Sequence, residues 1–353
     1  GRSVRKDLET AREELAAAVG CDASEIIFTA TGTEANNLAI KGLFWKGAKA
    51  NKKVIITSSF EHHAVMDPIN WLAEHEGAQI VAIKVDRKGF IDLEELEQAV
   101  KKYHDEISFI SIMHSNNEVG TLQDIAQVVK IARDIPVHSD CVQSFGKVDL
   151  SFKKLGLTAA TISAHKIGGP LGVAALILKK GLDIEPILHG GGQERDIRSG
   201  TFNTPGIVAF TAAATEAIEN RKERELKIRE LKNELIQTIK KNVSDIVVNA
   251  DQEKSLPGIL SITFPKTDSE GLLLLLDAEG KSDYKLLLRF PNKTNFVFSS
   301  MLPMTILTLL FVVIILVTYT SALKQLIMQK QISEIKTDFI NNMTHQISFY
   351  IVI

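Results

Sequence analysis

The chain has 353 residues, with 41 Lys plus Arg against 43 Asp plus Glu and a net charge of −2. That balance leaves no electrostatic footprint for nucleic acid, and no nucleic-acid partner is expected. With 45% hydrophobic and 24% charged residues the chain is not disordered, and its length suits about two domains. Its two cysteines, Cys21 and Cys141, exclude a disulfide scaffold and a Cys-rich metal site. The chain opens on Gly1 and a charged stretch unlike a signal peptide, so it reads as a fragment or a processed product.

In chain order, residues 8–19 have helical spacing and 26–29 form a short strand. Residues 34–45 are helical again, with Thr33 as the expected N-cap. Strands are expected at 54–57, 80–85, 107–113, around Val137, at 159–163 and at 173–178. Helical segments at 64–75, 93–103 and 125–133 lie between or after them. This alternation predicts an α/β fold, a mostly parallel sheet covered by helices on both faces. A long charged helix over 208–242 then leads to strands at 246–248 and 259–264, which suggests a smaller α+β domain.

Between Lys293 and Lys324 lie 30 residues without a charge, most apolar over 301–317. A membrane-spanning helix needs about 20 apolar residues. A buried core helix is the alternative, but core helices are rarely apolar all round. The expectation is one transmembrane helix over 301–321, making the whole chain a single-pass membrane protein.

The chemistry lies earlier. Ser163, Ala164, His165 and Lys166 end an apolar strand and precede Gly168, Gly169 and Pro170. A lysine at such a strand tip points into a cleft and can form a Schiff base with an aldehyde. Alone, it reads more readily as a surface lysine in a Gly-rich turn. Asp140 closes the strand around Val137 and can face a protonated pyridine nitrogen, or simply cap a helix. Gly32 and Thr33 sit in a turn that opens a helix, where free N–H groups suit a phosphate. Glu61, His62 and His63 follow the 54–57 strand, so an imidazole can lie against a cofactor ring; no ligand set with metal spacing accompanies the pair. Asn116, Asn117 and Glu118 follow the 107–113 strand similarly. Polar groups thus gather beyond strand C-termini, where open α/β sheets bind ligands.

Residues 1 to about 280 resemble cysteine desulfurases, enzymes of the class V aminotransferase group that use pyridoxal 5′-phosphate. The matching stretches are FTATGTEANNLAIKG (28–42), FEHHAVMD (60–67), IMHSNNEVGTLQDI (112–125), HSDCVQSFGKVDL (138–150), ISAHKIGGPLG (162–172) and HGGGQERDIRSGT (189–201). The resemblance implies fold type I of the pyridoxal-phosphate transferases. A large domain would span 1–205 and a truncated small domain 206–280. It implies Lys166 bonded to the cofactor aldehyde, His62 stacked on the pyridine ring, Asp140 on the ring nitrogen and Gln143 on the ring hydroxyl. Gly32, Thr33, Ser163 and His165 would hold the phosphate, and Asn117 would border the ring. Thr201 would reach the phosphate of a partner subunit, so a homodimer is implied. The family converts L-cysteine to alanine and passes sulfur to an acceptor or scaffold protein for iron–sulfur clusters or thiolated products. Lys166 and His62 are the proton-transfer candidates. The family's thiolate sits on a loop beyond 272–280, and from Lys281 this sequence departs from the pattern. The loop cysteine and the late arginine for the substrate carboxylate are absent, so sulfur transfer is not expected. The resemblance also implies a cytoplasmic setting for this part.

Residues 281–347 resemble the membrane-proximal end of a bacterial sensor histidine kinase. A juxtamembrane segment (281–300) precedes the span, and a partial dimerisation helix (322–353) follows it. QKQISEIKTDFINNMTHQ (329–346) carries His345 at the phospho-acceptor position. The alternative function is therefore a membrane-anchored signalling fragment. One span puts the two halves on opposite sides although both resemblances call for the cytoplasm, and basic residues flank both ends. A junction of two unrelated reading frames near Gly280 and Lys281 accounts for that conflict.

Overall fold

The computed structural model describes residues 2–265, 267, 287–288, 324–325 and 328–330. The chain divides into two units, Gly1–Arg289 and Phe290–Ile353. In the second, the described residues 324–325 and 328–330 are helical. The expected span 301–321 and His345 lie outside the described residues. Among the described residues no helix is long and apolar enough to cross a membrane.

The first unit opens with α1 (Arg2–Val19), β1 (Ile26–Thr29), α2 (Gly32–Ala48), β2 (Val54–Ser58), α3 (His63–Glu76) and β3 (Gln79–Ile83). It continues with α4 (Leu93–Tyr103), β4 (Ile107–Ser111), α5 (Ile125–Ala132), β5 (Val137–Asp140), α6 (Phe152–Leu155), β6 (Ala159–Ser163) and β7 (Ala174–Leu178). These seven strands form one sheet in the order β1-β7-β6-β5-β4-β2-β3. β7 runs antiparallel to β1 and β6, and the remaining pairs are parallel. The sheet is therefore mixed, with a parallel majority as the alternation predicts.

Every residue of β1, β2, β4, β5, β6 and β7 is buried, while the edge strand β3 is partly exposed. Strands buried on both faces read as continuous apolar runs because helices cover each side. Neighbouring residues on a strand belong to opposite layers. Phe28 and Ile56 pack with Leu15 of α1, Leu96 of α4 and Val128 of α5, whereas Ile27 and Ile55 pack with Leu38 of α2 and Ile69 of α3.

Two expectations are corrected here. The N-cap of α2 is Thr31, not Thr33: its hydroxyl accepts the Glu34 amide at 3.0 Å, leaving Thr33 inside the first turn. The single helix expected over 208–242 is two, α7 (Thr204–Glu219) and α8 (Arg221–Asn242). They part at Asn220, whose side-chain amide donates to the Glu216 carbonyl and so competes with the backbone ladder. A small sheet of β8 (Val247–Val248), β9 (Ser261–Thr263) and β10 (Leu287–Leu288) follows in the order β10-β9-β8. Residues 287–288, expected beside a membrane, pair in parallel with β9.

Candidate active site

The topology brings the C-terminal ends of β1, β2, β4, β5 and β6 to one edge of the sheet. β7 is reversed, so the loop before it reaches the same edge. Gly32, Thr33, His62, Asn117, Asp140, Gln143, Ser163, His165 and Lys166 all line a single cavity of about 370 Å³ there. Thr201 does not. It lines a neighbouring cleft of about 90 Å³, with Ala30, Gly172 and Val173 forming part of both walls.

Lys166 closes a short helical turn, Ala164–Lys166, that follows β6 directly. It is half-buried, and its amine has no hydrogen bond or ion pair among the described residues. It also forms part of the wall of a second cavity of about 450 Å³, shared with Lys147 and residues of α7 and α8.

Asp140, the last residue of β5, is only 7% exposed. One carboxylate oxygen accepts the Val142 amide at 2.9 Å and the other accepts Asn36 Nδ2 at 2.8 Å. Burial pushes its carboxyl above the usual range, while these hydrogen bonds and nearby His62 pull it back. A buried carboxylate of this kind gains most from a cation placed in the cavity.

His62 precedes α3, and its Nδ1 accepts the Ala64 amide at 3.0 Å. The cap orients the ring and leaves the proton of a neutral imidazole on Nε2. Asn116 shapes the loop after β4: its Oδ1 accepts the amides of Glu118 and Val119 at 2.8 and 2.9 Å, which sets Asn117 at the cavity wall. Ser163 Oγ lies 2.8 Å from His165 Nδ1.

Gly32 opens α2, where amides have no intrahelical acceptor. A Cβ there would meet Val142 Cγ2 at 3.2 Å and Ser163 Cβ at 3.6 Å, so glycine is what lets the turn approach β6. The Ala30 amide donates to Glu34 Oε2 at 2.8 Å, and Arg198 Nε donates to Glu34 Oε1 at 2.7 Å. The phosphate-type turn is thereby tied to the loop that carries Thr201.

Asn36 and Glu61 also shape the site. Asn36 is a polar residue on the inner, otherwise apolar face of α2, beside Ala35 and Ala39, and that mismatch is its sequence signal. Its Oδ1 is buried without a hydrogen-bond partner. Glu61 Oε1 accepts Ser58 Oγ at 2.7 Å and the Met113 amide at 2.8 Å, fastening the His62 loop to the end of β4. Burial pushes the Glu61 carboxyl up to about 8, opposed by those two hydrogen bonds.

This donor set suits a phosphorylated pyridine aldehyde. It offers an unpartnered amine, a buried carboxylate for a ring N–H, an imidazole above, and helix-terminal amides with a hydroxyl for a phosphate. Metal chemistry has less support: among the described residues no group of three or more His, Cys, Asp or Glu is placed to hold a metal.

The comparisons with known proteins agree with this chemistry. The family model "Aminotransferase class-V" matches residues 1–281. An IscS-like cysteine desulfurase of Mycobacterium tuberculosis is 41% identical over 285 residues, 79% of this chain and 72% of that protein. The solved structure of a NifS-like protein superposes with a TM-score of 0.74 at 37% identity, covering 79% of this chain and 76% of the other. SspA, solved in complex with cysteine, gives a TM-score of 0.67 at 30% identity, covering 79% and 76%. The mixed seven-stranded sheet is that of fold type I. With its cavity at the sheet edge and cysteine desulfurases among its homologues, the chain belongs to the class V aminotransferase family, whose members depend on pyridoxal 5′-phosphate.

Proposed function

We propose that the chain forms a pyridoxal 5′-phosphate site of cysteine-desulfurase type that takes L-cysteine. The observation that carries this reading is the convergence of Lys166, Asp140 and the Gly32 turn on one cavity. When bound there, the cofactor supplies an electron sink for bonds at the amino-acid α-carbon. Lys166 would hold its aldehyde, and its amine is the group placed to move protons at the α-carbon. Asp140 would pair with the protonated ring nitrogen, His62 would face the ring as a second proton carrier, and Gln143 would meet the ring hydroxyl. The Gly32 and Thr33 amides, Ser163 and His165 hold the phosphate, and Asn117 borders the ring. Thr201, outside the cavity of its own chain, serves the phosphate of a second copy in a homodimer. A cytoplasmic setting suits this site and its two free thiols.

Sulfur transfer needs a thiolate as well, because the thiolate is the nucleophile. Cys141 is fully buried, and burial pushes its thiol up to about 12. Cys21 lies in the turn between α1 and β1, where burial, with Glu25 and Asp22 adding to it, pushes its thiol up to about 12. Neither is ionised near neutral pH. The cofactor-loaded chain is therefore expected to change its visible spectrum with L-cysteine without sustained release of sulfide or alanine. Sustained sulfide release in the presence of a thiol reductant contradicts this reading of the sulfur step.

A further inference from the structure

Lys147 lies behind the cofactor cavity. Its Nζ donates to Gln143 Oε1 at 3.2 Å. Gln143 is part of the 370 Å³ cavity wall, whereas Lys147 lines the adjoining 450 Å³ cavity, so the contact crosses from one to the other. The turn that makes this possible depends on Gly146, whose φ is +70°. A Cβ there would meet Ile167 Cγ2 at 2.9 Å and Ala217 Cβ at 3.0 Å. With glycine, the segment packs against the residue after Lys166 and against α7.

The other charges facing Lys147 come from three elements: Lys166 after β6, Glu216 on α7, and Arg221, Arg224 and Glu225 on α8. Arg224 pairs with Glu216 at 2.7 Å, Arg221 with Asp149 at 2.7 Å, and Glu225 with Arg229 at 3.0 Å. No carboxylate among the described residues pairs with Lys147. Its polar partner is the Gln143 amide oxygen, and a side-chain amide has two ends. With Oε1 committed to Lys147, Nε2 is the end left to donate.

We infer that Lys147 is a positioning residue: its ammonium fixes the Gln143 amide with the NH₂ group directed at the ring hydroxyl of the bound cofactor. This rests on the cofactor reading above and extends it to a residue outside the cofactor cavity. Burial and the neighbouring Lys166 charge bring the Lys147 ammonium down to about 8, so the orienting charge fades as pH rises through that value. The contact has a donor and an acceptor of ordinary strength, and its loss weakens a dependent ligand contact by about two- to tenfold.

The test uses the full chain and two probes without an aldehyde, so that binding does not depend on a covalent bond to Lys166. One is 4-deoxypyridoxine 5′-phosphate; the other is its 3-O-methyl ether, which lacks the hydroxyl. Calorimetry on wild type, Lys147→Met and Lys147→Arg gives the dissociation constants, and circular dichroism melts check the fold of each variant. Lys147→Met is expected to bind the hydroxyl-bearing probe about two- to tenfold more weakly and the ether as wild type does. Lys147→Arg keeps the wild-type affinity below pH 8, and keeps it above pH 8, where wild type weakens. Equal losses for both probes, or no loss in Lys147→Met, overturn the inference while leaving the cofactor reading intact. Failure of the wild-type chain to bind either probe overturns the cofactor reading, and this inference with it.

Discussion

The seven-stranded sheet and the region from α8 onward, residues 221–265, handle apolar surface in opposite ways. In the sheet, six of seven strands are buried along their whole length, and Phe109 on β4 ranks among the largest fully buried side chains. In α8, 22 residues long, Lys232 and Ile236 are the buried positions. Leu226, Leu231 and Leu235 are 65%, 49% and 45% exposed. The strands of the small sheet are two or three residues long. The contrast shows why the site sits where it does. Catalytic geometry needs supports that do not move, and the packed sheet supplies them at its C-terminal edge. The later region adds a wall, through Leu256, Pro257 and Ile259, to the cavity behind Lys166.

Truncating a side chain in each region breaks or sharpens that contrast. Phe109, on β4, is fully buried between α2 and its neighbours. Phe109→Ala is expected to cost about 3–5 kcal/mol in urea denaturation, the range for a large core cavity. A loss below about 1 kcal/mol would mean that the sheet core is not the rigid support described.

The acid response comes next in size. Burial lowers His114 from 6.5 to about 4 and His138 from 6.5 to about 3. Both sit in or just beyond the sheet: His138 on β5, against Ser111 and Thr161, and His114 after β4, against Ser144. Their stabilisation is complete above pH 6.5 and fades as pH falls toward those values, because the unfolded chain then binds more protons. Glu61 works the other way. Its carboxyl rises from 4.5 to about 8, so its contribution declines as pH climbs through that window. Between pH 4.5 and 6.5 the three groups leave a net difference of one proton, a slope of about 1.4 kcal/mol per pH unit toward lower stability in acid. Glu61→Gln removes one opposing proton and should steepen the measured slope toward acid by about 1.4 kcal/mol per pH unit. Denaturation curves at pH 5 and 6.5 measure it; an unchanged slope would show that Glu61 is ionised in the folded chain.

The smallest effect is expected in the later region. Leu231→Ala on α8 should change stability by no more than about 0.5 kcal/mol, as for an exposed position. A loss of several kcal/mol would show that α8 is covered in solution.

Much of this was legible in the amino-acid sequence, for definable reasons. Doubly buried strands are short runs with few strongly polar residues, so 26–29 and 159–163 were read to the residue. Gly32, Thr33, His62, Asn117, Asp140 and Lys166 stood out because each ends or follows such a run, whereas Gln143 and Thr201 came from the family resemblance alone. The break at Asn220 was not legible, since Ala and Glu before it and Arg, Lys and Glu after it continue the helical pattern and only the asparagine's back-bond interrupts it. Asn36 lies 104 residues from Asp140, and periodicity carries no signal for a contact at that distance. Nothing in the sequence marks Lys147, because its partner is an amide oxygen rather than a carboxylate. Thr201 was expected to reach the phosphate of a partner subunit, and it lies in a cleft adjoining the cavity of its own chain.

The central claim is that one amine, that of Lys166, takes the cofactor. Loading the chain with pyridoxal 5′-phosphate, reducing it with borohydride and mapping the labelled peptide by mass spectrometry tests this most directly. The account predicts a visible absorbance band before reduction, one label on Lys166 afterwards, and neither in Lys166→Ala. A label on Lys147 or elsewhere, or a band that survives in Lys166→Ala, would contradict it.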